Sequence, residues 1–309
     1  MNIVFMGTPE FAVKSLEKLI EKHNVLAVVT QPDKPKGRGK KMLASPVKEK
    51  AIELGIQVLQ PENAKDIEFS KTLEGFNADI FVVAAYGQIL TEEVLNIPQY
   101  GAINVHGSLL PKYRGAGPIQ WSIINGEKTT GITIMQMAKG LDSGDMICKE
   151  EVEITPEETY GTLNEKLAYI GGNLLINTLE DIAKGIAVKT PQEHEASTYA
   201  PMIKKETELI DWKKTSWEIS CLIRGLDPMP GAYTSYRDEM FKIWQVEILD
   251  KVFKYKTCGE IVEKTKKGFI VKTGDASVLV EAIQAKGGKK MPTDAYMRGH
   301  EIELGVVLC

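Results

Sequence analysis

The sequence is poor in cysteine and histidine, and neither residue is spaced for metal binding. Its 309 residues include four cysteines and four histidines. No two cysteines form the CxxC pair that structural zinc sites commonly use. Scattered, unpaired cysteines are typical of reduced thiols in the cytosol. We therefore expect a cytoplasmic protein whose chemistry requires no metal.

Long apolar runs are absent as well. No run approaches the roughly 20 residues that a helix needs to span a bilayer. The opening residues, NIVFMG, contain neither a basic leader nor a small-residue cleavage site. The charged content of 26% is that of a soluble globular protein. We expect no membrane partner and no secretory signal.

The glycine fingerprint of dinucleotide-binding proteins is missing from the first strand–helix turn. That turn reads Met6-Gly-Thr-Pro-Glu10, without the GxGxxG that lets backbone approach a pyrophosphate. Thr8 is predicted to cap the following helix, with Pro9 at the first helical position. A nicotinamide-dependent dehydrogenase is therefore a weak alternative.

A strong excess of basic residues is also lacking. The net charge of −4 argues against a generic nucleic-acid binder. Residues 204–309 are nevertheless mildly basic relative to the rest of the chain. An RNA-binding face would require their lysines to cluster in space.

Apolar runs of strand length alternate with helix-like segments through the first half of the chain. Ile3–Met6, Val25–Thr30 and Asp79–Tyr86 are such runs. Near-continuous apolar strands between helices are typical of a parallel sheet that helices cover on both faces. We predict an α/β fold, a Rossmann-like, mostly parallel sheet, in a catalytic domain over residues 1–188.

The pattern changes after a polar segment with two prolines, residues 189–205, which we predict to be a linker. Ser216–Leu226 is predicted to form a short helix. Several short strand-like segments with turn signals between them follow. Strands at this spacing favour a small barrel. We predict a second domain over residues 206–309.

Two polar residues, Asn104 and His106, end the apolar run Ala102-Ile-Asn-Val-His. Side chains at i and i+2 of a strand point to the same face, and ligands of such sheets bind beyond the carboxyl ends of strands. Asp142 follows in a loop between Gly140 and Gly144 that could return to the same place. An amide, an imidazole and a carboxylate without a Ser or Cys nucleophile suit direct attack by a substrate on a carbonyl. Structural pairing of the histidine and a simple turn at Asp142 stay open as alternatives.

The segment Asp33–Lys41 contains five Lys and Arg residues in nine positions, with two glycines and one proline. This composition indicates an exposed, basic loop. It fits either an inert solvated surface or a loop that contacts the phosphates of a nucleic acid. The candidate nucleic-acid contacts are Lys36, Arg38, Lys40 and Lys41.

The motif around Asn104 resembles the signature of the 10-formyltetrahydrofolate-dependent formyltransferases. The resemblance is carried by four stretches: IVFMGTPEFAVKSLEKL, QPDKPKGRGKKMLASPVK, NVHGSLLPKYRGAGPIQWSIINGEKTTGITIMQMAKGLDSGDMI and IDWKKTSWEISCLIRGLDPMPGAYT. It is strongest for the members that act on methionyl-tRNA. It implies that 10-formyltetrahydrofolate is the co-substrate and that its formyl group goes to the α-amino group of initiator methionyl-tRNA. It also implies catalytic roles for Asn104, His106 and Asp142.

The resemblance extends to the binding residues. It implies folate contacts at Ser108, Leu109, Leu110 and Pro111, and we expect pterin neighbours at Gln88, Ile89 and Leu90. It favours the nucleic-acid interpretation of the basic loop, above all for Arg38. For the second domain it implies an OB-like barrel that helps to hold tRNA. We expect a monomer with initiator tRNA and folate as partners.

Three other functions remain compatible with parts of the sequence. A sugar or purine-precursor formyltransferase would share the Asn104 motif but would not need the basic loop and the barrel. A formyl-folate hydrolase would use water as the nucleophile at the same site. A non-enzymatic tRNA-binding module would tolerate the loss of His106, and it leaves the set of Asn104, His106 and Asp142 unexplained.

Overall fold

The computed structural model describes residues 1–36 and 41–309. The strands are β1 (Asn2–Gly7), β2 (Asn24–Val29), β3 (Lys34–Lys36), β4 (Lys41–Leu43), β5 (Val58–Leu59), β6 (Ile80–Ala84), β7 (Ala102–His106), β8 (Arg114–Gly115), β9 (Thr129–Gln136), β10 (Met146–Glu153), β11 (Tyr199–Ala200), β12 (Tyr233–Tyr236), β13 (Glu239–Leu249), β14 (Ile261–Lys264), β15 (Phe269–Lys272), β16 (Ser277–Ala285) and β17 (Met291–Pro292). The helices are α1 (Glu10–Lys22), α2 (Pro46–Glu53), α3 (Ile67–Glu74), α4 (Glu92–Leu95), α5 (Pro118–Ile124), α6 (Tyr160–Ala183), α7 (Ser216–Gly225) and α8 (Thr293–Met297). Short 3₁₀ helices cover His194–Ala196 and Lys205–Glu208.

The chain divides into two compact units, and each unit draws on several stretches of sequence. Unit 1 comprises Met1–Pro118, Thr130–Val152 and Asn164–Pro201, and unit 2 comprises Ile119–Thr129, Glu153–Leu163 and Met202–Cys309. The domain limits at residues 188 and 206 stay a prediction.

Unit 1 is built on a seven-stranded sheet with the order β10-β9-β7-β6-β1-β2-β5. The pairs from β5 to β7 are parallel, and β9 runs antiparallel to β7. Every residue of β6 and β7 is buried, as expected for strands with both faces covered. The predicted Rossmann-like, mostly parallel sheet is confirmed.

The starts of the first two helices show how side chains near a strand end are used. Ser45 caps α2 by accepting a hydrogen bond from the Lys48 N–H, with Pro46 at the first helical position, as its sequence indicates. The predicted cap of α1 by Thr8 is wrong, because α1 begins at Glu10 with Pro9 as its N-cap. The Thr8 hydroxyl instead donates to the Tyr86 carbonyl over 2.8 Å, so it is engaged in fixing the loop after β6.

Unit 2 contains a six-stranded antiparallel sheet. Its order is β12-β13-β16-β15-β14, and β17 pairs with β16. Thr215 and Glu218 form a capping box at the start of α7, which confirms the predicted helix. Trp212, Ile223 and Phe269 belong to one buried apolar cluster in this unit. The predicted small barrel domain after the parallel sheet is confirmed by this curled sheet and its core.

Among the residues described, no helix has both the length and the apolar character needed to cross a membrane.

Candidate active site

Strand β7 positions Asn104 and His106 side by side. Asn104 pairs with Val83 of β6 and Met135 of β9, so neighbours on both sides fix its register. Val105, between the two polar residues, faces α6, where a Cβ added at Gly171 would lie 2.9 Å from its Cγ1. Because side chains alternate along a strand, Asn104 and His106 project from the opposite face. Both are buried.

The loop between β9 and β10 brings Asp142 to the same place. Asp142 Oδ1 lies 3.4 Å from Asn104 Nδ2, and Oδ2 lies 3.7 Å from His106 Nδ1. Asp142 Oδ2 also accepts a 2.8 Å hydrogen bond from the Gly115 N–H. Asp142 has a φ of 45°, a left-handed conformation that residues other than glycine rarely adopt. The structure thus joins the three residues that the sequence motif selected.

The protonation of the His106 ring follows from its surroundings. Nε2 lies 3.0 Å from the Tyr113 carbonyl oxygen. A carbonyl can only accept, so Nε2 carries the proton in this contact. Nδ1 is then the ring atom that can take up or release a proton, and it is the atom that faces Asp142. The ring is 5% exposed, so little bulk water reaches it.

The Ser108–Pro111 segment follows β7 directly and is held by internal hydrogen bonds. The buried Thr133 hydroxyl donates to the Ser108 carbonyl over 2.7 Å and accepts from the Leu110 N–H over 3.1 Å. The Ser108 hydroxyl donates to the Lys112 carbonyl, and Leu110 is buried with Met135 and Met146. The peptide between Leu110 and Pro111 is cis. Leu109 and Pro111 are half-buried, so their side chains are partly exposed, whereas Ser108 and Leu110 are buried.

The Gln88–Leu90 segment lies in the loop after β6, the strand next to β7. Gln88 is engaged with a neighbouring loop, because its side chain accepts from the Ala64 N–H and donates to the Pro61 carbonyl. Leu90 is buried in the apolar core of unit 1, whereas Ile89 is 71% exposed. Since β6 and β7 are parallel neighbours, the loops after them leave the same edge of the sheet.

Two contacts and a buried ring fix the backbone of that loop. The Gln31 side chain donates to the carbonyls of Tyr86 and Gly87 over 3.2 and 2.8 Å. Tyr86 is 2% exposed, and its hydroxyl has no hydrogen-bond partner among the described residues. Burial raises the pKa of Tyr86 to about 12, so its ring stays neutral beneath the loop.

The basic loop is described only at its ends. Lys36 ends β3 and Lys41 begins β4, and these strands pair antiparallel. Arg38 and Lys40 lie outside the described residues. At the base of this hairpin, Asp33 accepts from the Lys48 ammonium over 2.8 Å. The hydrogen bond from Lys48, and then that from Gln60, lower the pKa of the Asp33 carboxyl.

Sequence reasoning missed three residues that contact the site. Tyr113 and Arg114 lie within the recognised motif, but their contacts depend on a loop conformation that includes a φ of 60° at Tyr113. Gln192 lies in the segment predicted to be a linker, yet its side chain is 5% exposed and hydrogen-bonds to the Asp142 carbonyl. Nothing in its polar sequence neighbourhood distinguishes it from an exposed glutamine.

Within the described part of the chain, no three His, Cys, Asp or Glu side chains are grouped to hold a metal ion.

Comparisons with known proteins identify the family of the chain. The chain matches the family model "Formyl transferase" over residues 1–179 and the model "Formyl transferase, C-terminal domain" over residues 202–301. The methionyl-tRNA formyltransferase of Caldanaerobacter subterraneus subsp. tengcongensis is 51% identical, and the match covers 100% of both chains. That of Acetivibrio thermocellus is 48% identical and covers 100% of this chain and 99% of the relative.

Solved structures share the fold at low identity. The N-formyltransferase from Helicobacter canadensis, in complex with folinic acid and dTDP-3-aminofucose, has a TM-score of 0.67 at 22% identity, with 94% of this chain and 99% of that chain covered. HypX from Aquifex aeolicus, in complex with tetrahydrofolic acid, has a TM-score of 0.63 at 15% identity, with 98% of this chain and 50% of that chain covered. The resemblance seen in the sequence is confirmed, and this chain belongs to the formyl transferase family.

Proposed function

We propose that this chain transfers the formyl group of 10-formyltetrahydrofolate to the α-amino group of methionyl-initiator tRNA. The observation that carries the proposal is the convergence of Asn104, His106 and Asp142 at the end of strand β7. The choice of acceptor is supported by full-length relatives at 48–51% identity that are named methionyl-tRNA formyltransferases.

The reaction forms a bond between the amine nitrogen and the formyl carbon and breaks the bond from that carbon to N10 of the folate. A proton leaves the amine, and one is delivered to N10. His106 takes up the amine proton at Nδ1, because Nε2 is engaged with the Tyr113 carbonyl. The amine attacks in its neutral form, so the base must lie beside it.

Asn104 stabilises the negative charge that develops on the formyl oxygen. Its Nδ2 donates to Asp142 Oδ1 over 3.4 Å, which is long for a hydrogen bond and therefore weak. The amide N–H can therefore turn to the oxyanion at a small cost. Because the site is buried, such a donor acts in a low local dielectric, where it is worth more than in water.

Asp142 supports the charged form of His106 during the reaction. Its Oδ2 faces Nδ1 at 3.7 Å and is oriented by the Gly115 N–H. A carboxylate at this distance stabilises the imidazolium that forms when Nδ1 takes up the amine proton. It also provides a path by which that proton reaches the leaving N10, directly or through a water molecule.

The folate lies between the loops that follow β6 and β7. Leu109 and Ile89 offer apolar surface for the flat pterin ring. The side chains of Ser108, Leu110, Gln88 and Leu90 are engaged inside the protein, so they act by placing the backbone that the pterin edge contacts. Pro111 limits the conformation of this backbone.

The acceptor tRNA contacts the basic loop and the C-terminal unit. Lys36, Arg38, Lys40 and Lys41 neutralise tRNA phosphates. The loop lies between β3 and β4, whose base is fixed by the Asp33–Lys48 ion pair. Free methionine as acceptor has no phosphate and would make no use of this charge.

The proposed enzyme acts in the cytoplasm as a monomer. Asn104, His106 and Asp142 all come from unit 1 of a single chain, so the site needs no second copy. Light scattering should give the mass of one chain, 34.2 kDa. A mass of twice that value at assay concentration would contradict the monomer.

The test is formyl transfer from labelled 10-formyltetrahydrofolate with charged initiator Met-tRNA, free methionine and water as competing acceptors. The proposal expects labelled formylmethionyl-tRNA from the wild type and almost none from His106→Ala. Consumption of the folate without labelled tRNA would reject the acceptor and indicate a hydrolase or another formyltransferase. Met-tRNA binding without any folate turnover would indicate a non-enzymatic binding module.

A further inference from the structure

Gln192 connects the two segments that meet at the Asp142 carboxylate. On the basis of the proposed function, we infer that Gln192 is a positioning residue whose buried side-chain amide holds Asp142 in place beside His106. It touches the backbone around the site and not the reacting atoms, so it acts through Asp142.

All hydrogen-bonding positions of the Gln192 amide are used. Nε2 donates to the Asp142 carbonyl over 2.8 Å and to the Gly144 carbonyl over 2.7 Å. Oε1 accepts from Arg114 Nε and Nη2 over 3.0 and 2.7 Å. An amide has two N–H donors and two acceptor lone pairs, so it is fully satisfied here. Because it is also buried, its orientation is fixed.

The loop that carries Asp142 needs such a support. Its backbone is in the left-handed region at Gly140 and again at Asp142, with φ values of 118° and 45°. Leu141, the large apolar residue of the loop, is exposed, so it adds little burial to hold this conformation. Within the part of the chain that the structure describes, the carbonyls of Asp142 and Gly144 have Gln192 as their hydrogen-bond partner.

Gln192 also contacts Arg114, which lies on the segment that orients the Asp142 carboxylate. Arg114 precedes Gly115, whose N–H donates to Asp142 Oδ2 over 2.8 Å. Tyr113, before Arg114, accepts from His106. Gln192 therefore connects the loop that carries the carboxylate with the segment that orients both the carboxylate and the imidazole.

Loss of Gln192 should reduce the rate of the chemical step more than the binding of either substrate. The carbonyls of Asp142 and Gly144 would lose their donor, and the loop would relax from its strained conformation. A displacement of about 1 Å at a catalytic group can cost about 10²-fold in rate. The folate loops and the basic loop are held by other contacts, so KM values should stay within about twofold.

Two substitutions separate the donor side of the amide from its acceptor side. Gln192→Ala removes both the N–H donors and the oxygen acceptor of the side-chain amide. Gln192→Glu keeps an acceptor for Arg114 but places a carboxylate oxygen against the two carbonyls, so it should not restore the rate. His194→Ala is the matched control, because His194 lies two residues after Gln192, is exposed, and contacts Arg114 Nη2 over 3.2 Å without reaching the Asp142 loop. It should keep activity within about twofold of wild type.

A double-mutant cycle with Asp142→Ala provides the kinetic test. Gln192→Ala should lower kcat about 10²-fold alone and by no more than about twofold when Asp142→Ala is already present, since residues that act through one another are non-additive. An equal loss in both backgrounds would overturn the inference, as would a wild-type kcat in Gln192→Ala or Gln192→Glu. Circular dichroism at the assay temperature should show both Gln192 variants folded.

An NMR measurement tests the positioning role of Gln192 without an activity assay. The imidazole ¹⁵N resonances of His106 report the charge beside Nδ1. They should shift in the same direction in Gln192→Ala as in Asp142→Ala, and they should not shift in His194→Ala. An unchanged His106 spectrum in Gln192→Ala would overturn the inference even if formyl transfer is normal. If the wild type fails to formylate Met-tRNA, the proposed function fails, but this spectrum still decides the role of Gln192.

Discussion

Asn104 and His106 are held by a strand, whereas Asp142 is held by a loop. Strand β7, which carries Asn104, pairs with β6 on one side and with β9 on the other. Regular backbone hydrogen bonds therefore place the Asn104 side chain. Asp142 has a left-handed φ, and its position depends on contacts from Gly115 and Gln192. The strand half of the site, Asn104 and His106, is thus positioned by regular strand pairing. The loop half, Asp142, is positioned by individual hydrogen bonds from other loops.

The two halves also differ in what supports them. The strand half is surrounded by buried apolar residues of the sheet, whose packing makes small displacements costly. The loop half depends on a few hydrogen bonds, each with a net stabilisation of about 1 kcal/mol. Substitutions in the strand half should therefore remove chemistry directly, and substitutions around the loop half should remove it through displacement.

The largest effect is expected at His106. His106→Ala removes the imidazole nitrogen that faces Asp142, so kcat should fall about 10²–10⁴-fold while the protein stays folded at the assay temperature. Single-turnover formylation of Met-tRNA measures it. His300→Ala, which removes an exposed histidine, is the control. A His106→Ala rate within threefold of wild type would remove this residue from the chemistry.

Asn104 should show the next largest effect. Asn104→Ala removes one oxyanion donor, which costs on the order of 10²–10³-fold in kcat. Asn104→Asp keeps the shape but places a second carboxylate 3.4 Å from Asp142 Oδ1, so it should be no better. Asn177→Ala changes an exposed asparagine on α6 and should leave kcat unchanged. If Asn104→Ala raised KM alone, the oxyanion role would be wrong.

A substitution at Thr133 tests whether the strand half also holds the loop that follows β7. Thr133→Val removes the hydroxyl that bonds to Ser108 and Leu110 and leaves buried backbone groups unsatisfied. The free energy of unfolding should fall by about 1–3 kcal/mol, and KM for the folate should rise. Urea unfolding and initial rates measure the two effects. Thr72→Val, at an exposed position of α3, should change stability by no more than about 0.5 kcal/mol.

The smallest effect is expected at the basic loop, which lies outside both halves. Arg38→Ala should lower kcat/KM for Met-tRNA by about tenfold and reduce the slope of log(kcat/KM) against log[salt] by about 1, because one phosphate contact is lost. KM for the folate should not change. Lys71→Ala on α3 removes an exposed positive charge elsewhere and serves as the control. Unchanged salt dependence in Arg38→Ala would contradict a tRNA contact at this loop.

The strand half could be predicted from the sequence because its signals are local. An apolar run ending in Asn104 and His106 predicts a strand and a shared face, and β7 has the predicted bounds. The start of α2 likewise follows a local signal, because Ser45 caps the helix and Pro46 occupies its first turn. The same kind of signal failed at Thr8, because its hydroxyl donates to the Tyr86 carbonyl and accepts from the Gln31 N–H instead of from the helix.

The loop half could not be predicted because its supports are not local. Gln192 lies 50 residues from Asp142, in a segment whose composition indicates an exposed linker. The engagement of Gln88 with Ala64 and Pro61 likewise depends on a loop conformation that no pattern specifies. The glycines around Asp142 indicated a loop that could return to His106, but the catalytic role of Asp142 was predicted mainly from the family resemblance. The structure explains the proximity of the two residues through β9, β10 and the loop between them.

The central claim is that the strand half and the loop half act as one catalytic unit, and a double-mutant cycle tests it most directly. Single-turnover formyl transfer to initiator Met-tRNA would be measured for His106→Ala, Asp142→Ala and the double variant. If the two residues act as one unit, the double variant should be about as slow as the slower single variant. Losses that multiply would contradict the account, because they would mean that Asp142 acts independently of His106.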